Sequence, residues 1–89
     1  MPAFRTRIVT PELCAFDAEV ESIVVPGIDG FYGILANHAP MIAAVGAGIL
    51  KVTAGGTDTF FSVGKGVLEV DGSAVLILTD RAASGTSLN

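Results

Sequence analysis

The sequence has few of the residues that catalysis and nucleic-acid binding require. Its 89 residues include one cysteine, Cys14, and one histidine, His38. A lone cysteine cannot form an internal disulfide, which fits a reducing compartment. The five basic residues form no run, and the net charge is −4. The sequence has no basic patch of the kind that binds nucleic acid, and an anionic membrane surface would repel a chain of this charge.

Long apolar segments are also missing. The first ten residues lack the apolar region of a signal peptide. The longest apolar stretch, residues 41–50, is about half of the roughly 20 residues that a membrane-spanning helix needs. We expect a soluble protein that can lie beside a membrane through a partner.

What the chain does have is enough apolar sequence to form a core. Hydrophobic residues make up 51% and charged residues only 16%. This is far from the composition of a disordered chain, and the length suggests one domain covering residues 1–89. Because so little charge is available for the surface, apolar patches are expected to face partners.

Alternating β-branched and aromatic residues, separated by turn residues at short intervals, predict an all-β sandwich or barrel. Residues 4–10 form the first expected strand, ended by Pro11. Residues 14–25 form a second, with Asp17, Glu19, Glu21 and Ile23 on one exposed, acidic face.

The second half predicts two hairpins. Gly55-Gly56 and Asp71-Gly72 are both two-residue turn signals between alternating runs. Residues 64–66 link the hairpins into a meander. Residues 75–78 are apolar on both faces, as in a strand buried between layers.

No segment predicts a long helix. The best candidate is residues 39–45, where Pro40 lies near a possible start and Gly46 and Gly48 stop it within two turns. The tail, residues 82–89, is expected to be frayed or extended.

The stretch PGIDGFYGILANHAP, residues 26–40, carries Gly27, Gly30 and Gly33 at a spacing of three. This spacing matches neither the dinucleotide nor the phosphate-loop motif, and no helix opens behind it. Two interpretations remain. The glycines only permit tight turns and close backbone approach, or they do this in a loop that also contacts a partner.

His38 and the acids give weak catalytic signals. A general base needs a nucleophile and an orienting group, and one histidine with scattered acids makes a poor zinc site. His38 is either a turn residue bonded to its neighbours or part of a docking surface.

Glu19 and Glu21 could form a paired-carboxylate site, but a solvated edge that blocks aggregation is the simpler interpretation.

The apolar run at residues 39–48 is rich in glycine and alanine and holds one flexible methionine, Met41. Small side chains let another chain approach closely, and methionine adapts to irregular surfaces. The run is therefore either buried core or a contact surface.

Taken together, residues 26–50 resemble the signature of the ε subunit of F-type ATP synthase, in which a Gly-x-x-Gly loop leads into a His-Ala-Pro motif. The segment VGKGVLEVDGSAVLILTDRA, residues 63–82, is similar to the family's Gly-Val-Leu-Glu-Val hairpin. The resemblance covers residues 4–83. It implies a flattened β-sandwich of about ten short strands and a non-catalytic rotor subunit that couples the γ subunit to the membrane c-ring.

The resemblance also implies partners and site residues, with no cofactor, metal or small-molecule substrate. The surface expected to face γ comprises Thr10, His38, Ala39, Pro40, Met41 and Ala43. The surface expected to face the c-ring comprises Asp29, Gly30, Phe31 and Tyr32, with the two aromatic side chains pointing at the ring. Phe31 departs from the family, where a polar or acidic residue is frequent. The implied location is peripheral, on the cytoplasmic face of a bacterial plasma membrane.

The chain stops at Asn89, about where the family continues into a C-terminal helical hairpin. The resemblance therefore implies that the hairpin, its inhibitory action and its ATP site are absent, through natural loss or truncation. Two other functions stay open on the residues alone: a small hydrolase that uses His38, and a ligand-binding β domain with an apolar pocket. The sequence does not distinguish proton from sodium coupling.

Overall fold

A computed structural model describes residues 2–85 and contains ten strands in that part of the chain. The fold class predicted from the sequence is confirmed, since every element is a short strand. The strands are β1 Phe4–Val9, β2 Cys14–Val20, β3 Ser22–Pro26, β4 Phe31–Leu35, β5 Met41–Val45, β6 Gly48–Ala54, β7 Thr57–Val63, β8 Gly66–Asp71, β9 Ala74–Thr79 and β10 Ala82–Ser84.

The strands form two five-stranded sheets that pack as a sandwich. The first sheet has the order β2-β1-β9-β8-β5, and the second has the order β10-β7-β6-β3-β4. Neighbours pair antiparallel, except that β1 runs parallel to β9. The edge strands β4 and β5 follow each other in the chain, and a bridge between Gly27 and Val45 joins their side of the sandwich.

The core lies between the sheets and takes alternate side chains from most strands. In β1 the alternation predicted from the sequence is confirmed, because Phe4, Thr6 and Ile8 are buried while Arg5 and Arg7 are exposed. Aromatic packing also links the sheets: the rings of Phe16 in β2 and Phe61 in β7 meet edge to face, with centroids 5.4 Å apart. The other buried apolar side chains are Val20, Ile23, Val25, Ile34, Val45, Leu50, Val52, Val63, Leu68, Val70, Val75 and Ile77.

The single strand expected over residues 14–25 is two strands, one in each sheet. The chain leaves the first sheet at Glu21, whose backbone N–H donates to Thr53 O of the second sheet at 2.7 Å. The inward–outward alternation changes phase at this break, so Ile23 is buried. The prediction that Ile23 shares an exposed face with the acids is wrong for this reason.

The short helix considered for residues 39–45 is instead strand β5. Met41–Val45 pairs in register with β8, from Met41 opposite Val70 to Val45 opposite Gly66. The pairing satisfies the β5 backbone within the sheet, and this tertiary gain outweighs the helix preference of its alanines.

One predicted hairpin turn is confirmed and the other is displaced by one residue. Gly55 and Gly56 have φ values of 58° and 77°, as a type I′ turn requires. In the second hairpin Asp71 pairs with Ala74, so the turn residues are Gly72 and Ser73. Only Gly72 has positive φ, at 60°, which fits a type II′ turn.

The strand over residues 75–78 is covered on one face only. Val75 and Ile77 are buried, but Leu78 on the opposite face is 47% exposed. The prediction of burial on both faces is wrong here, because nothing in residues 2–85 packs on the outer face of the first sheet.

In the tail, Ala82–Ser84 pairs with β7 as strand β10. Residues 86–89 lie outside the described residues.

The crossing from β7 to β8 depends on glycines and on Thr79. The buried Thr79 hydroxyl lies 3.1 Å from Gly64 N, which donates to it, and 2.9 Å from Gly64 O. A side chain at Gly66 would overlap the carbonyl oxygen of Leu78 in the paired strand. Because that obstacle is backbone, it cannot move aside without breaking the ladder.

We therefore expect Gly66→Ala to destabilise the domain by about 3 kcal/mol or more, or to prevent folding, through this backbone clash. Urea unfolding followed by circular dichroism measures the change. Gly33→Ala is the matched control, since a Cβ there has no atom within 4 Å. Equal stability of the two variants would contradict the close approach.

Thr6 presents a second test of the core. Its hydroxyl is fully buried and has no hydrogen-bond partner among the described residues. An unpaired buried hydroxyl costs about 1–3 kcal/mol. We expect Thr6→Val to raise the free energy of unfolding by about 1 kcal/mol, whereas Thr57→Val, at an exposed strand position, changes it by less than about 0.5 kcal/mol. A loss of stability in Thr6→Val would refute the expectation.

Candidate docking surfaces

The segment from Pro26 to Pro40 wraps the side of the sandwich where both sheets end. It contains the β3–β4 hairpin of the second sheet and the connection to β5 of the first sheet. Gly46 N donates to Pro26 O at 2.9 Å, and a Cβ on Gly46 would lie 2.9 Å from Gly27 O. The two sheets are therefore fastened by close backbone approach at this side.

The tip of the β3–β4 hairpin is apolar and exposed. Ile28 is 71% and Phe31 is 72% exposed, and Asp29 and Gly30 between them are exposed as well. Gly27 N donates to Gly30 O at 2.6 Å, which closes the turn. Gly30 has a φ of 142°, a conformation that glycine adopts without strain.

Tyr32 does not share this surface. It pairs with the buried Val25 and packs against the core, so it points opposite to Phe31. A Cβ on Gly27 would come within 2.5 Å of the Tyr32 ring, which explains the glycine there. The expectation that both aromatic side chains point outward is therefore wrong for Tyr32.

His38 lies in the connection between β4 and β5 and is held by local hydrogen bonds. Its backbone N–H donates to Leu35 O at 3.3 Å, and Nδ1 lies 2.8 Å from Ala39 O. Asn37 adopts a positive φ of 65° before it. No described hydrogen bond joins His38 to a nucleophile, so the arrangement fits a turn histidine better than a general base.

The residues that follow His38 alternate between two faces. Ala39 and Pro40 are exposed, but Met41 and Ala43 are half-buried and pack against the core. The large exposed side chain of β5 is Ile42, at 73%. Ile42 was missed because residues 39–45 were considered as a helix, and a period of two would have identified it.

Thr10 lies far from this region. It follows the end of β1, three strands away from β5 in the first sheet, or roughly 14 Å across the strands. It is 7% exposed, and its Oγ1 accepts hydrogen bonds from Leu13 N at 3.1 Å and Glu12 N at 3.3 Å. The structure does not bring Thr10 together with His38, and it gives Thr10 a role in a turn.

The outer face of the first sheet carries a band of apolar side chains across its strands. The register aligns Ala44 with Val67, Val67 with Leu78, and Leu78 with Val9. Val67 is 43% and Leu78 is 47% exposed. We call this outer band the apolar row; its members are Ala44, Val67, Leu78, Val9 and Cys14.

Charged side chains occupy the same face beyond the apolar row. Arg5 Nε lies 2.6 Å from Asp17 Oδ1, and Arg7 Nε lies 3.9 Å from Asp17 Oδ2. The hydrogen bond from Arg5 holds the pKa of the Asp17 carboxyl below its usual value. Within residues 2–85, Glu69 and Asp71 take part in no ion pair.

An open groove of about 450 Å³ lies beside these two acids, over the paired strands β5 and β8. A smaller hollow of about 200 Å³ adjoins it over β8, β9 and β1. The space between the sheets is filled by buried side chains. The groove is lined by Pro40, Met41, Ile42, Glu69, Val70 and Asp71.

Glu19 and Glu21 do not form a carboxylate pair. Glu19 is exposed on β2, an edge strand of the first sheet, while Glu21 is half-buried at the break between β2 and β3. A charged side chain on an edge strand discourages pairing with another sheet. In residues 2–85, no three His, Cys, Asp or Glu side chains are grouped so that they could hold a metal ion.

These features define a class: a β-sandwich of two five-stranded sheets with exposed apolar side chains at one hairpin tip and on one sheet face. Comparison with known families agrees. Residues 3–85 match the family model described as ATP synthase, Delta/Epsilon chain, beta-sandwich domain, and the chain belongs to this family.

Curated relatives carry the corresponding name. The chain is 43% identical over 84 residues to an ATP synthase epsilon chain of Nitrobacter winogradskyi, covering 94% of this chain and 62% of that protein. It is 42% identical over its whole length to one of Rhodopseudomonas palustris, of which it covers 66%. The chain thus spans slightly less than two thirds of the length of these relatives.

Solved structures share the fold. A chain in the mitochondrial ATP synthase of Euglena gracilis superposes with a TM-score of 0.86 at 24% identity, covering 94% of this chain and 55% of that chain. A chain from the central stalk and c-ring of the Tetrahymena thermophila enzyme gives 0.75 at 14% identity, covering 89% and 64%. Residues 2–85 contain no helix that is long and apolar enough to span a membrane.

The Arg5–Asp17 contact predicts how the Asp17 carboxyl titrates. A depressed folded-state pKa means that the contact stabilises the fold above the ordinary carboxyl pKa and that this stabilisation is lost as the pH falls through the folded-state value. We expect the Asp17 side-chain carbon to titrate below 3.8 by NMR, and Arg5→Gln to shift that pKa upward. An unchanged Asp17 pKa in Arg5→Gln would contradict the assignment of the cause.

Proposed function

We propose that this domain is a non-catalytic rotor subunit of an F-type ATP synthase, which couples the γ subunit to the membrane c-ring. Its mechanism is mechanical: a stiff sandwich fixes one partner to the other so that torque is not lost as slippage. The observation that carries the proposal is the position of exposed apolar side chains, Ile28 and Phe31 at the hairpin tip and Ile42 on β5, beside the fastened edge of both sheets.

Membership of the ATP synthase delta/epsilon family supports this function. One structural neighbour adds weight, since it comes from a central stalk and c-ring assembly. This mechanical role requires no cofactor, metal or small-molecule substrate. On this proposal the domain is peripheral to a membrane through its partners, on the cytoplasmic face in a bacterium.

The γ surface, in this proposal, begins at His38, Ala39 and Pro40 and continues along the outer side of β5. There Ile42 is exposed, while Met41 and Ala43 support the strand from the core side. The apolar row extends the same face toward β1, at whose end Thr10 holds the turn. Stable protein interfaces bury about 1,200–2,000 Å² in total, which a broad sheet face can provide.

The c-ring surface, in this proposal, is the tip formed by Asp29, Gly30 and Phe31, with Ile28 added by the structure. Tyr32 supports it from within by packing against the core. The exposed ring of Phe31 makes this contact largely apolar, with Asp29 as its one carboxylate.

Separate variants test the two surfaces. Because an apolar interface residue replaced by a charge leaves that charge desolvated, we expect Ile42→Asp to weaken binding to the purified γ subunit at least tenfold and to leave c-ring binding unchanged. Phe31→Asp should do the reverse. Both side chains are more than 70% exposed, so the unfolding midpoint should not move, and surface-immobilised partners give the dissociation constants.

Phe60→Asp is the control, since Phe60 is an exposed aromatic residue on β7 of the second sheet. It should leave both affinities unchanged. If γ binds Ile42→Asp as well as the unaltered chain, the γ surface lies elsewhere. If neither partner binds the unaltered chain, the rotor function is wrong.

A further inference from the structure

The groove over β5 and β8 has an apolar side on β5 and an acidic side on β8. Pro40, Met41 and Ile42 line the β5 side, and Glu69 and Asp71 lie on the β8 side. Ile42 stands directly opposite Glu69 in the register, on the outer face of the sheet. The groove therefore combines an apolar side on β5 with two carboxylates on β8.

Glu69 and Asp71 lie two residues apart on one strand, so their side chains share a face about 7 Å apart. Both are exposed, and neither forms an ion pair with a described residue. On the same face, Asp17 attracts both Arg5 and Arg7. Arg5 and Arg7 line the adjoining hollow together with Glu69 and Asp71, but within residues 2–85 their ion pairs are with Asp17 alone. The two carboxylates of β8 are therefore left without an ion-pair partner.

We propose that this groove receives a cationic side chain, arginine or lysine, from the γ subunit. Such side chains have an apolar stem and a charged end, which match the apolar side and the acidic side. Interfaces use charge complementarity of this kind to fix register and specificity. The inference rests on the proposed function and adds to it the chemistry of one contact.

The groove does not fit a metal ion equally well. A calcium site needs six to eight oxygen ligands, and here two carboxylates face an apolar side. No group of three potential metal ligands occurs in residues 2–85. A side chain that packs its apolar stem on one side and pairs its charge with the carboxylates uses both sides.

The test removes the charges without changing the shape. Glu69→Gln and Asp71→Asn, separately and together, are measured for binding to purified γ at 50 mM and 300 mM salt. For the unaltered chain we expect the dissociation constant to rise several-fold with salt, because an ion pair at the interface is screened. For the double variant we expect about tenfold weaker binding at low salt and almost no salt dependence.

The matched control is Glu19→Gln, which removes an exposed carboxylate from β2 at the far edge of the same sheet. It changes the net charge by the same amount as either single variant and should leave both affinity and salt dependence unchanged. Equal weakening by Glu19→Gln would show a general charge effect and overturn the groove assignment.

The outcomes separate this inference from the function on which it rests. If the double variant keeps the affinity and salt dependence of the unaltered chain while Ile42→Asp still weakens binding, the groove proposal is overturned and γ docking stands. If the unaltered chain does not bind γ at all, the proposed function fails and the groove proposal fails with it.

Discussion

The packing of two sheets on one shared core determines which side chains this domain can offer to a partner. With only 89 residues, the domain needs every inward position for the core, and a domain of this size buries only about 60–65% of its unfolded surface. Each strand therefore gives one face to the core and leaves the other. Ile42 and Phe31 are exposed because their strand neighbours, Met41 and Tyr32, are already committed inward.

The same constraint explains why so much apolar surface remains. Charged residues are 16% of the chain, and they cover only part of the outer face of the first sheet. The apolar row contains no charged side chain. Arg5, Arg7 and Asp17 form a separate cluster on β1 and β2. Because the apolar and charged parts of this face are separate, a partner with matching parts can dock on it in one orientation.

Local signals in the sequence predicted much of the fold. The Gly55-Gly56 turn and the alternation of β1 follow from positive-φ preference and a period of two, and both are confirmed. The failures occur where tertiary contacts decide. Nothing local indicates that the chain changes sheets at Glu21, and the alanines of β5 adopt a strand only because β8 is there to pair with them.

The candidate surfaces were predicted as a segment but not as side chains. Residues 26–40 do occupy one side of the sandwich, but the choice between Met41 and Ile42 depends on which face of β5 is covered. Thr10 shows the opposite limit, since its place in the chain says nothing of its distance from His38, and its hydroxyl is already bonded within a turn. Periodicity fixes faces only after the element type is known.

The contact between the two sheets at Gly27 and Gly46 connects these surfaces mechanically. Gly46 N donates to Pro26 O at 2.9 Å, and Gly27 N closes the hairpin tip by donating to Gly30 O at 2.6 Å. Few bonds thus separate the tip of the second sheet from the end of β5 in the first. In the proposed rotor, a force applied at Phe31 reaches Ile42 through a backbone network with no flexible linker in it. A side chain at Gly46 would meet Gly27 O and push the sheets apart, and one at Gly27 would meet the Tyr32 ring within the hairpin. The close approach is therefore part of the proposed coupling.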